Sequence, residues 1–158
     1  MGTAKNIGIA QWAEQNVVFR LLMLHDKIYK STGGRIGHRL PLPGMPPSLL
    51  LHTVGAKTGI ERTNALSYFP DGGHYYVVAS KGGDPRAPGW YHNLKANPNI
   101  EINLGPKRLA ATATPVPADD PAYPRLWQLV NRDNSDRYNA YQSKTSRKIP
   151  LVRITPKP

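Results

Sequence analysis

The chain of 158 residues contains no cysteine. A disulfide framework, a thiolate metal site and thiol chemistry are therefore excluded. Its five histidines (His25, His38, His52, His74 and His92) are scattered, with no HExxH or HxH pair, so no metal site is expected. The dinucleotide fingerprint GxGxxG and the phosphate loop GxxxxGK are both missing. No run reaches the roughly twenty apolar residues that span a bilayer, and residues 1–16 lack the apolar stretch of a signal peptide. The expected location is the cytoplasm. Acids are scarce as well: Lys and Arg number 21 against 10 Asp and Glu, a net charge of +11. Residues 27–60 carry five cations and no acid, and residues 137–158 carry six and no acid. Such a field attracts a polyanion: nucleic acid, anionic lipid, or a cofactor bearing phosphate and carboxylate.

What is present reads as one α+β domain behind a leading segment. Residues 9–30 have helical periodicity, with Val17, Leu21, Leu24 and Ile28 on one face. The first expectation for that face is packing on the protein's own core. The second is peripheral contact with a membrane surface, on the inner face of the cell membrane. "LPLPGMPP" (40–47) is an extended proline-rich arm. This divides the chain into residues 1–47, helix and arm, and residues 48–158, the binding domain.

In the second part strands are predicted over 48–54, 62–69, 74–80, 99–104, 108–116 and 149–155. "PDGG" turns 62–69 back on 74–80 as a hairpin. Helices are predicted over 88–96, 119–133 and roughly 135–145. Strands and helices do not alternate regularly, which argues against a Rossmann fold. The sum is a small barrel-like, six-stranded, mostly antiparallel sheet with an N-terminal helix and flanking helices.

Two glycine-rich corners stand out. "TVGAKTGIER" (53–62) ends a strand in Gly55, Lys57, Thr58 and Gly59, with Arg62 beyond. "VASKGGDPRAPGWYHN" (78–93) ends another in Ser80, Lys81 and two glycines, ahead of Trp90 and Tyr91. Glycine lets the backbone approach a ligand, successive N–H groups form an anion-binding concavity, and Lys and Arg add charge. Asn93 sits mid-helix, where it is a poor helix former, so a hydrogen bond to a ligand or to buried backbone is expected.

These stretches, with "AYQSKTSRKIPL" (140–151), resemble the deazaflavin-dependent nitroreductase and quinone reductase family of actinobacteria. The motifs follow one another in family order across residues 48–155. The resemblance implies a split β-barrel related to FMN-binding domains. It also implies coenzyme F420, a 5-deazaflavin with a phosphodiester and an oligoglutamate tail. The implied cofactor-binding residues are Ala56, Lys57 and Thr58; Arg62 to Ser67 (Arg62, Thr63, Asn64, Ala65, Leu66, Ser67); Val78, Ala79, Ser80 and Lys81; and Gly89, Trp90, Tyr91, His92 and Asn93. Tyr141 is implied as both cofactor contact and substrate wall, with Tyr138 at its rim. Hydride would pass to an electrophilic acceptor, a quinone first, then nitroaromatics and activated enones. Ser80, Tyr68, Tyr138 and Tyr141 are the candidate catalytic donors to that acceptor.

The chain departs from the family pattern in two places. Ala65 stands where proline is frequent, and the aromatic of the nitroreductase branch falls at Tyr68 rather than around Ser67. Neighbours on a strand point to opposite faces, so the pocket is expected to be more open, which favours quinones over nitroimidazoles. Three alternatives stand beside this reading: FMN in place of F420, a non-catalytic deazaflavin carrier, and a basic nucleic-acid-binding module. The last is disfavoured because the cations gather in corners rather than interleaving with aromatics. Assembly is expected to be monomer or homodimer.

Overall fold

The computed structural model describes residues 17, 20–39, 45–132 and 134–158. The first helix, α1, is described as a continuous run over residues 20–31; residues 9–16, 18 and 19 of the predicted helix lie outside the described set, as do 40–44 of the arm. Gly34 N–H closes α1 on Tyr29 O at 3.0 Å. The buried side of α1 is made by Tyr29, which is 0 % exposed and donates its hydroxyl to Ser48 O at 2.7 Å. The apolar face predicted to pack on the core instead points outward: Val17, Leu21 and Leu24 are each more than half exposed.

Seven strands follow: β1 (Ser48–Val54), β2 (Glu61–Ser67), β3 (Phe69–Asp71), β4 (His74–Val78), β5 (Asn99–Leu104), β6 (Lys107–Val116) and β7 (Leu151–Pro156). They form one sheet in the order β2-β1-β5-β6-β7-β4-β3, and every pairing is antiparallel. β2 and β3 are its outer strands, yet only Tyr68 separates Ser67 from Phe69. One residue cannot bridge two distant edges, so the sheet curls until its edges meet. The result is the expected barrel.

The extra strand arises at the same place. The segment 62–69, read as one strand, breaks at Tyr68, whose N–H bonds Pro47 O at 3.0 Å. β2 then pairs only with β1, and β3 only with β4. The predicted hairpin survives as three residue pairs around Gly72 and Gly73, both at positive φ as a tight two-residue turn requires. Most of β4 pairs with β7.

Strand alternation divides the core. Val77, Val152 and Ile154 face the barrel interior with Leu49, Leu51, Leu94 and Ile102. Tyr76, Val78 and Leu151 face the other way, where they meet Leu126, Val130 and Tyr138. The last three come from α3 (Tyr123–Arg132) and α4 (Arg137–Gln142); α2 (Gly89–Ala96) supplies Leu94. Asp120 starts the turn into α3, its carboxylate accepting Ala122 N–H at 2.8 Å. The described helices contain none long and apolar enough to cross a membrane.

Candidate functional site

β4 ends at Val78, and the chain passes into a single 3₁₀ turn, Lys81–Gly83. Ser80 is right-handed (φ −82°, ψ −39°), while Lys81 and Gly82 are left-handed at φ 46° and 64°. A right-handed residue followed by left-handed ones gathers successive N–H groups on one concave side, a backbone anion nest. Among the described hydrogen bonds, the N–H groups of Ser80, Lys81 and Gly82 have no main-chain acceptor. Lys81 holds a conformation that costs a non-glycine residue on the order of 1 kcal/mol, the kind of strain that gathers at ligand sites. The carbonyls of the corner point elsewhere. Ala79 O, Ser80 O and Asp84 O all accept from the Arg147 guanidinium at 2.8–3.2 Å.

The nest opens on a cleft of about 800 Å³. One wall is β2 from Arg62 to Ser67. A second is Val78, Ser80, Lys81 and Gly82. The start of α2 adds Gly89, Trp90 and Asn93, and α4 adds Arg137, Tyr138 and Tyr141. Three cations (Arg62, Lys81 and Arg137) face one acid, Asp26 of α1. Burial pushes the Asp26 carboxyl above its ordinary range, against the opposing pull of His25 and Lys30. Lys81 is partly engaged with Asp84 at 3.5 Å.

The tyrosines of α4 differ. Tyr138 is 7 % exposed, its ring edge-on to Phe69 at 6.0 Å and 6.0 Å from Tyr141. Burial pushes its hydroxyl far above the usual tyrosine range, against weaker opposing effects of Arg137 and Ser67. It therefore keeps its proton at any physiological pH and acts as a hydrogen-bond donor. Tyr141 is half-buried, with Lys144 Nζ 5.6 Å from its ring centroid.

The first corner sits beside this cleft. Gly55 N–H bonds Ile60 O at 2.8 Å and closes the loop between β1 and β2. A Cβ on Gly55 would lie 2.4 Å from Thr58 Oγ1, so a side chain there would require the Thr58 hydroxyl to turn away. Asn93 fastens the loop to α2: its Oδ1 accepts Ala56 N–H at 3.0 Å and its Nδ2 donates to Thr53 Oγ1 at 3.2 Å. The hydrogen bond expected of a mid-helix asparagine thus goes to backbone, while the residue also borders the cleft.

Several predicted site residues fall outside the cleft lining. Ala56, Lys57 and Thr58 belong to the neighbouring loop, and Lys57 and Thr58 are exposed. Ala79 is fully buried in the barrel. Tyr91 faces a separate hollow of about 450 Å³ with Ala87, Pro117 and Pro150, Lys95 lying 4.5 Å over its ring; His92 is exposed beside it. Tyr68, named as a catalytic candidate, does not line the cleft either. Its ring is 6 % exposed, outside the cleft, with its hydroxyl 3.3 Å from His38 Nε2. It joins the barrel to the segment after α1. Four cleft residues were not among the named site residues: Asp26, Pro88, Arg137, and Gly82, which the second glycine corner contained. Arg137 lay in the acid-free tail and adjoins Tyr138, the one available signal.

A family model described as F420H(2)-dependent quinone reductase matches residues 21–156. An F420H(2)-dependent quinone reductase of Mycobacterium tuberculosis is 63 % identical over 147 residues, covering 93 % of this chain and 97 % of that protein. A solved F420-H2-dependent reductase, FDR-A, superposes with TM-score 0.61 at 38 % identity, covering 68 % of this chain and 93 % of its own. A structure described as a domain-swapped dimer gives TM-score 0.62 at 33 % identity, covering 92 % of this chain and 98 % of its own. The haem protein HutZ of Vibrio cholerae, at 17 % identity and TM-score 0.56, shares the split-barrel fold alone. The chain belongs to the F420H(2)-dependent quinone reductase family.

Proposed function

We propose that the 800 Å³ cleft holds F420 against the Ser80–Gly82 nest and accepts a quinone against Tyr138 and Tyr141 of α4. One observation carries this reading. A backbone anion nest and three cations share a cleft with the Trp90, Tyr138 and Tyr141 side chains, so phosphate sites and walls for flat rings lie together. The residues fit the coenzyme: three N–H groups for a phosphodiester or ring carbonyl, Arg62 and Lys81 for negative charge, and Trp90 for the ring system. When bound, reduced F420 supplies a hydride to an electrophilic two-electron acceptor.

The chain's own residues do the rest. Arg62 and Lys81 hold anionic groups in place. Ser80 and Tyr141 border the space where an acceptor carbonyl would rest, and hydroxyls there stabilise the oxygen that gains charge. The protonated Tyr138 hydroxyl holds the rim polar without giving up its proton. The test is anaerobic oxidation of F420H2 by menadione and by a nitroimidazole, with FMN titrated in parallel. Quinone turnover well above nitroimidazole turnover, with no FMN binding, supports the reading; nitroimidazole preference or FMN binding overturns it.

The outward apolar face of α1 favours peripheral membrane contact, where isoprenoid quinones reside. Lys27 and Lys30 on the same helix add attraction to anionic headgroups. A homodimer is the assembly favoured by the domain-swapped relative.

A further inference from the structure

Arg147 lies outside the cleft lining, on the loop between α4 and β7. Its guanidinium donates from Nε to Asp84 O at 2.8 Å, from Nη2 to Ser80 O at 2.8 Å, and from both terminal nitrogens to Ala79 O at 3.2 Å. One side chain thus gathers carbonyls from both ends of the left-handed corner. With those carbonyls turned toward Arg147, the neighbouring N–H groups are left for the concave side.

The same residue is tied to the acceptor wall. Gln142, the last residue of α4, donates to Arg147 O at 2.8 Å and accepts Ile149 N–H at 3.0 Å. A second link is steric. A Cβ on Gly83 would stand 2.6 Å from Tyr141 O and 3.0 Å from Lys144 Cβ, so the corner and α4 are in direct contact because Gly83 has no side chain. The path therefore runs from the nest, through the guanidinium, to the loop and Gln142, and on to the helix carrying Tyr138 and Tyr141.

We propose that Arg147 is a positioning residue that locks the Ser80–Gly83 corner to α4, coupling cofactor binding at the nest to acceptor binding against Tyr141. The inference rests on the quinone-reductase reading of the cleft. Arginine suits the task because its planar fork serves several carbonyls at fixed angles, whereas a lysine ammonium serves them as a point charge. Occupancy of the nest orders the corner, and an ordered corner holds α4 in place, so each ligand binds the protein the other has already ordered.

The experiment is a fluorescence titration with oxidised F420, with and without saturating menadione, on wild type, Arg147→Lys, Arg147→Met and Gly83→Ala. Unfolding temperature is recorded for each. In wild type, menadione should tighten F420 binding by about fivefold, the lower range of typical coupling. Arg147→Met should raise the F420 Kd about tenfold, as loss of charge-assisted hydrogen bonds predicts, and abolish the menadione effect. Arg147→Lys should keep part of both. Gly83→Ala should lose the coupling, because its Cβ crowds Tyr141 O and its positive φ strains the corner that faces α4. If Arg147→Met lowers the unfolding temperature but its folded fraction keeps wild-type Kd and coupling, Arg147 only packs and the proposal is wrong. If Arg147→Met does not fold, the Lys and Gly83 variants decide: wild-type coupling in both overturns it. A wild type that binds F420 tightly without any menadione effect also overturns it. A wild type that does not bind F420 sinks the quinone-reductase reading, and the inference with it.

Discussion

Asn93 Oδ1 accepts the N–H of Ala56 at 3.0 Å, so one side chain of α2 determines where the Gly55–Gly59 loop sits beside the cleft. Its Nδ2 reaches Thr53 Oγ1 at 3.2 Å, which fixes the amide's orientation. Asn93→Leu keeps the branched shape and the helix but removes both hydrogen bonds, one of them to the buried Thr53 hydroxyl. The expected loss is about 1–2 kcal/mol of unfolding free energy. The F420 Kd should rise about fivefold as the loop loosens, on the scale where 1.4 kcal/mol is tenfold. Urea unfolding and fluorescence titration measure the two. Wild-type values in both would make Asn93 a surface residue.

Arg62 and Lys57 were equivalent in the sequence, two cations of one glycine corner. The structure separates them: Arg62 faces the cleft from β2, while Lys57 is exposed on the loop outside it. Arg62→Gln should raise the F420 Kd about tenfold, as for one charge-assisted hydrogen bond, and flatten its salt dependence. Lys57→Gln should change it by less than about threefold, the range of exposed charge effects. Equal losses from both would mean that the anionic tail, rather than the phosphate and ring, dominates binding.

Local signals carried most of the fold. Gly72-Gly73 marked a hairpin, and it formed there. Alternation along β4 and β7 sends their apolar residues to opposite faces, and so to the two cores. What failed depended on distant partners. The break at Tyr68 is made by a hydrogen bond to Pro47 and by burial of the ring, and neither is encoded within 62–69. The α1 face failed for the opposite reason. Periodicity finds an apolar stripe but not what covers it, and here Tyr29, not the stripe, faces the barrel. Arg147 was invisible because its partners are backbone carbonyls more than sixty residues away.

Tyr138 and Tyr141 lie one turn apart on α4, yet their substitutions should behave differently. Tyr138 is enclosed by Phe69, Trp127 and Tyr141 rings. Tyr138→Phe preserves that packing and should leave F420 affinity and quinone turnover within about twofold of wild type, while Tyr138→Ala should cost about 3–5 kcal/mol of stability. Tyr141→Phe should lower kcat/KM for menadione about tenfold, the scale of one lost donor, with the F420 Kd little changed. Steady-state kinetics and cofactor titration distinguish these outcomes. A larger kinetic loss at Tyr138 than at Tyr141 would reverse the assignment.

Five tyrosines, Tyr29, Tyr68, Tyr91, Tyr123 and Tyr138, are held above their ordinary range by burial and shape the behaviour in alkali. Burial pushes Tyr29 and Tyr123 up to about 12 and Tyr138 higher still, against an ordinary value of 10.0. Below pH 10 these groups are neutral in both folded and unfolded chains, and their contribution to stability is fully present. As pH rises from 10 to 12, the unfolded chain loses their protons first, so stability falls across that window. Unfolding temperature should therefore drop steeply between those values. Tyr123→Phe, which removes a hydroxyl bonded to Ile149 O at 2.6 Å, should be less stable at neutral pH but lose less in alkali. An unfolding temperature flat up to pH 12 would contradict the burial of these hydroxyls.

Membrane contact is best tested without deleting α1. Removing residues 1–30 would take away Tyr29, which is fully buried and bonded to Ser48 O, so loss of binding and loss of fold would be confounded. Leu21 and Leu24 are 59 % and 53 % exposed and bury little against the barrel. Leu21→Glu with Leu24→Glu should leave the unfolding temperature within a few degrees, as surface substitutions do. It should also abolish co-sedimentation with vesicles of mixed phosphatidylcholine and phosphatidylglycerol. Turnover of menadione, which is small and soluble, should persist, whereas turnover of a long-tailed menaquinone embedded in the vesicles should fall. If the double variant sediments like wild type, the apolar face of α1 is not the anchor. If it becomes a monomer where wild type is a dimer, that face meets a second copy of the chain instead.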